Sequence, residues 1–501
     1  MKHLPIIGVI LPFLLIAMMI SSQTLWIDEG DTAIYAQQPT FSDFCHHLQA
    51  DSDADCQMPL SMFIAWAVDK VMGHSEWVLR SPNLVWAWIS LILLVRIGKK
   101  KGMPWLPLLF VAQPYLWFYM DEARPYVLQI MCGCFLLWSL IIYNSKEEWK
   151  ISWVIPFVFG AVLLSYATLL APIALVALIL AGLWVNRKQE GGQGLKHREL
   201  LWLGAGGLFC VPVGFYYLQT ILHGSGGAKL WEPGLANIAY IFYELTGFSG
   251  LGPPPIVIRE LAQSGNVSRL FVNYSAQWIL IGSLALALLV LGWKGLTELR
   301  NHKSKRDLRE FTSCILALIV AATFFLALSI LLHKVFWARH LAPLFPFICY
   351  AIALLGKAVI HSEPVSTQRW RMVPVFFVLI AWGYSSLNTR FGSSFRKEDY
   401  RSVSRKAQVV LNNGGSVAWA ASWHCACYYG LPFDSDGKST DKAFLMLFGA
   451  HRVGLETLQE PSLIVIGKSY IYDGSGDLRQ WAITHGYRTK EKLSAFELYT
   501  R

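Results

Sequence analysis

Charge is scarce in this chain. Its 501 residues carry only 43 Lys and Arg and 33 Asp and Glu, 15% of the total, and Leu4 to Ile20 carry none. With 54% hydrophobic residues and a mean hydropathy of +0.41, that scarcity excludes an ordinary water-soluble domain and points to an integral membrane protein. No four Cys or His stand at zinc-site spacing, although His424 beside Cys425 and Cys427 invites a metal reading. Cys132, Cys134, Cys210, Cys314 and Cys349 fall in apolar stretches, as packing residues do. No solenoid repeat or low-complexity tract stands out; Gly191–Gly194 and Gly224–Gly227 read as flexible loops. The Ser21-Ser22-Gln23 end of the first apolar run is a poor cleavage site, so that run is expected to stay as an uncleaved first helix. The net charge of +10 does not imply nucleic acid as a partner, because the bases gather in short loops that orient membrane helices.

A helix needs about 20 apolar residues to cross the hydrocarbon layer. Eleven crossings are expected on that criterion, near 4–22, 83–97, 103–120, 126–143, 151–167, 169–186, 200–221, 276–293, 311–332, 341–357 and 372–388. With a cytoplasmic N-terminus, the cytoplasmic connections include Gly98–Lys101, Asn144–Lys150, Asn186–Glu199, Lys294–Glu310 and Gly356–Arg371, which carry most of the loop Lys and Arg. Residues 23–82, the Asp121–Tyr126 turn, the connection 223–276 and everything after about Asn388 then face the opposite side. Pro59–Val71 is apolar but holds Asp69 and Lys70, and is expected to lie on the membrane surface. From about 389 the chain is polar and mixed: a helix to Leu411, strands at Ser416–Ala421 and Ser462–Gly467, and a helix at Leu478–His485 are expected, forming a soluble α/β domain.

Three clusters could carry chemistry, all on the outer side. Leu25-Trp26-Ile27-Asp28-Glu29-Gly30-Asp31 sets three carboxylates just behind the first crossing. Asp28 and Glu29 diverge by roughly 100 degrees on a helix, so different partners are expected for them; an ordinary solvated cap of the next helix is the plain alternative. In Glu122-Ala123-Arg124-Pro125-Tyr126, Arg124 has a planar donor fork suited to a phosphate or carboxylate, with a Glu–Arg pair inside the turn as the alternative. Arg339, in Arg339-His340-Leu341-Ala342-Pro343, offers a second phosphate contact or a snorkelling cation. A carboxylate near an acceptor hydroxyl can act as general base, and cations can neutralise a departing phosphate. The expectation is a wet, non-cytosolic pocket where Asp28 meets Arg124.

These segments resemble the bacterial GT-C glycosyltransferases, in particular the dolichyl-phosphate-mannose protein mannosyltransferase-like group that includes the lipid A aminoarabinose transferase. Trp26-Ile27-Asp28-Glu29 resembles the family's first-loop Asp-Glu motif, and Glu76-Trp77-Val78-Leu79-Arg80-Ser81-Pro82 its Glu-x-x-x-Arg-x-Pro segment. Glu122 to Leu128 is similar to its Glu-Ala-Arg-x-Tyr-Ala-Leu signature, Arg339 to Pro343 to its Arg-Tyr-Leu-x-Pro segment, and Lys397-Glu398-Asp399-Tyr400-Arg401 to its Asp-Trp-Arg opening of the outer domain. There are two departures: Gln57-Met58-Pro59 stands where many relatives have His-Pro-Pro, and His340 replaces the commoner Tyr.

The resemblance implies a polytopic α-helical membrane protein of GT-C type. Residues 1–388 would be the transmembrane catalytic module, with 23–82 as its first periplasmic loop, and 389–501 a small periplasmic α/β domain. It implies an inner-membrane enzyme that moves a sugar, with inversion, from a polyprenyl-phosphate-linked donor to a glycolipid, glycan or protein acceptor. Asp28 and Glu29 are the implied catalytic acids, Asp28 as base and Glu29 shaping the site. Arg124 and Arg339 would bind the donor phosphate, and Glu122, Tyr126 and His340 would shape the site. A divalent metal is left open as a cofactor, and the oxidising compartment would allow a Cys45–Cys56 disulfide. A lipid-linked glycan flippase would bury charges near the bilayer midplane, whereas a surface-polysaccharide polymerase or ligase would differ only in its donor.

Overall fold

The computed structural model describes residues 4–50, 54–145, 152–186, 197–222, 234–254, 257–258, 261, 268–301, 305–361, 372–433, 439–446, 454–456, 458–493 and 495–501. Both glycine loops expected at 191–194 and 224–227 lie outside these residues, as do parts of the expected connections 144–150, 186–199, 223–276, 294–310 and 356–371. Two compact units result: one comprises Met1–Ile20, Gln49–Ser61 and Arg80–Phe395, the other Ser21–Leu48, Met62–Leu79 and Arg396–Arg501. Two parts of the first loop, Ser21–Leu48 and Met62–Leu79, thus group with the C-terminal segment, while Gln49–Ser61 goes with the first unit.

The first unit is helical. Six helices among the described residues are long and apolar enough to cross a membrane: Glu76–Lys101, Tyr126–Asn144, His197–Leu222, Ser275–Asn301, Lys305–Leu332 and Ala338–Ile360. Leu4–Ala17, Val154–Ala167, Ala171–Asn186 and Val373–Phe391 are further apolar helices at expected positions. Burial ranks them: the apolar window of Tyr126–Asn144 is 83% buried, against 17% for His197–Leu222. The first is therefore the centre of the unit. The outer helices turn Leu208, Phe209, Leu289 and Trp293 outward, a surface suited to lipid rather than water.

One expected crossing differs. Residues 103–120 form two short helices, Leu106–Ala112 and Pro114–Met120, broken at Gln113. Pro114 has no N–H to continue the ladder and holds the residue before it extended. The fully buried Gln113 side chain takes up the orphaned groups: its Oε1 accepts from Tyr115 N at 2.5 Å, and its Nε2 donates to Leu245 O at 2.8 Å. Apolar character gave no sign of this break.

In the second unit, Pro59–Met72, whose first three residues belong to the first unit, is a 14-residue helix, too short for a full crossing. Its Asp69 is buried and accepts from His74 across 2.6 Å. Ile27–Gln37, Phe41–Ala50 and Glu76–Arg80 are the other first-loop helices; Gln49, Ala50 and Arg80 at their ends belong to the first unit. The C-terminal part carries a five-stranded sheet: β1 Val417–Ala420, β2 Ala443–Leu445, β3 Leu463–Gly467, β4 Arg488–Leu493 and β5 Phe496–Thr500, ordered β2-β1-β3-β5-β4. The first three run parallel, with Val417 opposite both Ala443 and Leu463; β5 and β4 are antiparallel. β1 and β3 are buried along their whole length, which is why they read as continuous apolar runs. Only these two strands were expected. β2 has three residues, and β4, Arg-Thr-Lys-Glu-Lys-Leu, is a charged edge strand of the kind that blocks pairing with other chains. Helices Tyr400–Asn412 and Asp477–Thr484 match expectation to within a residue at most ends.

Candidate active site

In the first unit, the Glu-Ala-Arg turn follows Pro114–Met120 and precedes Tyr126–Ser145. It is pinned from below its own backbone: Asn83 Nδ2 donates to Glu122 O at 2.6 Å and to Met120 O at 3.2 Å. Arg80, fully buried, lies 3.8 Å from Asp121. The Arg80-Ser81-Pro82 and Glu122-Ala123-Arg124 segments, distant in sequence, thus form one packed corner. Arg124 is buried, and its Nη1 is ion-paired with Asp55, itself buried. That partner comes from the acidic run Asp51, Asp53, Asp55, outside the turn itself.

Arg339 approaches the same corner. Its guanidinium carbon sits 5.9 Å from the centroid of the Tyr126 ring, a cation–π contact. The short helical segment Ala338–Leu344 that carries it is held by Tyr115, whose hydroxyl donates to Ala338 O at 3.1 Å. It is also held by its closeness to Gly133: a Cβ there would stand 2.0 Å from Pro343 O. Only a glycine on the central helix permits that approach. His340 turns back on its own segment, with Nδ1 accepting from Trp337 N at 3.0 Å, and stacks on Phe336 at 5.3 Å. Tyr126 is buried edge-on to Tyr119, with ring centroids 4.7 Å apart, and Glu122 is buried.

In the second unit, the two adjacent acids part company as their helical spacing requires. Glu29 is wholly buried, and its Oε2 accepts from Lys397 Nζ at 2.7 Å and from Trp26 N at 3.3 Å. Asp28 is half-buried in the first turn of Ile27–Gln37, where the helix dipole favours its charge. Asp31 faces His424 Nδ1 at 2.6 Å. Gly30 lets this helix meet Trp423–Tyr428, since a Cβ on it would come within 2.5 Å of Cys425 Sγ and 2.9 Å of Cys425 N.

The Lys397–Arg401 stretch places every polar residue. Lys397 holds Glu29; Glu398 is paired with Lys468, which lies 5.4 Å from the Trp26 ring centroid; Asp399 caps Tyr400–Asn412 by accepting from Ser402 N at 3.1 Å; and Arg401 grips Glu76 while donating to Ser22 O at 2.8 Å. The sequence signal for Lys397 and Arg401 was present in the motif, but not which acids they would meet. Burial works against the Arg401 charge, yet the bonded Glu76 more than offsets it and holds its pKa above the usual value.

All nine cysteines are free in this structure. Cys425 is buried, burial pushes its thiol well above the ordinary range, and it donates to Trp26 O at 3.4 Å. Its Sγ packs against the Gly30 backbone, and no group of three or more His, Cys, Asp or Glu side chains that could hold a metal gathers among the described residues. Asp28 and Glu29 thus belong to one unit, and Glu122, Arg124, Tyr126, Arg339 and His340 to the other.

No protein-family model matches this sequence, and no curated protein matches it. Solved structures do. Crystal structures of ArnT from Cupriavidus metallidurans, one in the apo state and one bound to undecaprenyl phosphate, each superpose with a TM-score of 0.54 at 12% identity. In each case the match covers 99% of this chain and 97% of the other. At that identity the likeness is one of fold, and it runs from end to end. From its first helix to its last strand, this chain has a fold similar to that of ArnT, in accord with the GT-C resemblance of its motifs.

Proposed function

We propose that this chain is a membrane glycosyltransferase that takes its sugar from a polyprenyl-phosphate-linked donor. The observation that carries the reading is the end-to-end likeness to a protein solved with undecaprenyl phosphate bound. The ordered run of Asp-Glu, Glu-Ala-Arg and Arg-x-Leu-x-Pro motifs supports it independently. On this reading the chain crosses the inner membrane eleven times, and residues 23–82 and 389–501 lie on the periplasmic side, where a lipid-linked donor replaces nucleotide sugars.

Asp28 is the general base. It takes the proton of the acceptor hydroxyl as that oxygen bonds to the anomeric carbon; the bond from that carbon to the phosphate oxygen breaks, and polyprenyl phosphate leaves with the electron pair. One displacement inverts the anomeric centre. Arg124 and Arg339 neutralise the phosphate; Glu122, Tyr126 and His340 hold their surroundings, and Glu29, tied to Lys397, holds the helix that carries Asp28. The half-exposed Asp28 beside the ion-paired Glu29 favours this division of labour. The acceptor is a glycolipid, glycan or protein.

The test is sugar transfer in membranes. Asp28→Asn keeps the shape and removes the base, and a fall in turnover of about 10²–10⁴-fold is expected. Unchanged turnover removes the base assignment. Movement of lipid-linked sugar across vesicles without transfer to any acceptor would instead favour a flippase.

A further inference from the structure

The second unit holds a cleft that the transfer chemistry above does not use. Its volume is about 430 Å³, within the range of small-molecule sites, and Gln37, His74, Glu76, Arg401, Arg405 and Gln408 line it with the rings of Tyr428 and Tyr429. Unlike most such sites, this one is more polar than apolar along its walls.

Its floor is hydrogen-bonded. Glu76 is buried, and its Oε1 accepts from Arg401 Nε at 3.2 Å and Tyr429 Oη at 2.9 Å. The Tyr429 oxygen accepts in turn from Leu25 N at 2.8 Å and Thr24 Oγ1 at 3.0 Å. Burial first, and the Glu76 charge after it, push the Tyr429 phenol up, so it remains a donor across the physiological range. All the bonds to Glu76 fall on Oε1. Oε2 receives none among the described residues, on a carboxylate that borders the cleft.

The walls repeat this half-used pattern. Gln408 spends Nε2 on Tyr429 O at 2.7 Å, leaving its Oε1 as an acceptor. His74 uses Nδ1 on Asp69. The Tyr428 and Tyr429 rings meet edge to face with centroids 5.0 Å apart. Arg405, exposed at the rim on the same helix as Arg401, is one turn away from it. The cleft therefore presents fixed acceptors, amide groups, aromatic faces and one cation beyond the Glu76–Arg401 pair. Fixed acceptors and amides suit adjacent hydroxyl groups, ring faces suit the C–H side of a sugar, and a guanidinium fork suits an acid group.

We propose that this cleft binds an acidic sugar, one whose ring hydroxyls meet Glu76 and Gln408 and whose carboxylate or phosphate meets Arg405. That the bound sugar belongs to the acceptor rests on the transferase reading; the binding itself does not.

The experiment uses the full chain purified in detergent, titrated calorimetrically with three probes: a uronic-acid disaccharide, a hexose phosphate and the matching neutral disaccharide. Saturable binding of one acidic probe, at least tenfold tighter than the neutral one, is expected, and which acid binds identifies the source. Arg405→Ala should weaken it roughly tenfold without moving the melting temperature, Arg405→Lys should recover part of the loss, and Gln408→Ala should weaken acidic and neutral sugars alike. Equal binding of all three probes, no binding, or affinity unmoved by Arg405→Ala overturns the proposal. Sugar transfer by wild-type membranes is read in parallel: its absence with the cleft's binding intact sinks the transferase reading alone, and its presence without Arg405-dependent binding sinks the cleft alone.

Discussion

Replacing Lys397 by Met isolates the ion pair that anchors the acid-bearing helix. Glu29 has no exposed side-chain surface and Lys397 keeps 14% of its own, with 2.7 Å between them. At an effective dielectric near 20, that separation corresponds to an attraction of about 6 kcal/mol. Desolvation of the two ions, several kcal/mol each, offsets most of it. The intact pair therefore adds little net stability, but removing one member strands the other: Lys397→Met leaves a buried carboxylate held only by Trp26 N and other local partners, at a cost of about 3–5 kcal/mol. For a unit of this size, that corresponds to a melting temperature lower by roughly 10 °C. The double variant Glu29→Gln, Lys397→Met loses both charges and should recover much of the difference, with a coupling of about 2–3 kcal/mol. The assay is a double-mutant cycle on the full chain in detergent, following tryptophan fluorescence through unfolding, with Trp26, Trp419 and Trp481 reporting from this unit. A Lys397→Met variant that melts within about 2 °C of the parent, or a double variant as unstable as the two singles added together, would refute the pairing.

Gly30→Ala should lower stability by about 1–3 kcal/mol and reduce sugar transfer, because the added methyl strikes Cys425 and shifts the turn bearing Asp28 and Glu29. Adding Cys425→Ala removes the nearer contact but not the 2.9 Å approach to Cys425 N, so only partial recovery is expected, and full recovery would contradict this geometry. Gln113→Leu deprives Tyr115 N and Leu245 O of their partner at the broken helix, at a cost of about 1–3 kcal/mol for each group. A heating series on detergent-solubilised protein would expose an error here if the variant retained the parent's midpoint.

The apolar helices were legible in the sequence because lipid demands a long uncharged run, and composition alone records it. The same physics made β1 and β3 readable, since strands buried on both faces must be apolar throughout. Hydropathy did not register the break at Gln113, although Pro114 carries its local cause, and the carbonyl that satisfies the Gln113 amide, 132 residues away, was not legible at all. Nor were the strands β2, β4 and β5, whose pairing comes from neighbours in the sheet rather than from a continuous apolar run of their own.

By itself the sequence determined that the chain is a membrane protein, that its acids and arginines cluster at helix ends, and that Asp28 and Glu29 must point different ways. Only the tertiary structure decided the partners: Lys397 for Glu29, Asp55 for Arg124, Tyr126 for Arg339, and Glu76 for Arg401. Charge type and helical period are local properties that survive in a string of letters. Which buried charge neutralises which depends on segments brought together from up to 368 residues apart, where desolvation makes every unpaired ion costly.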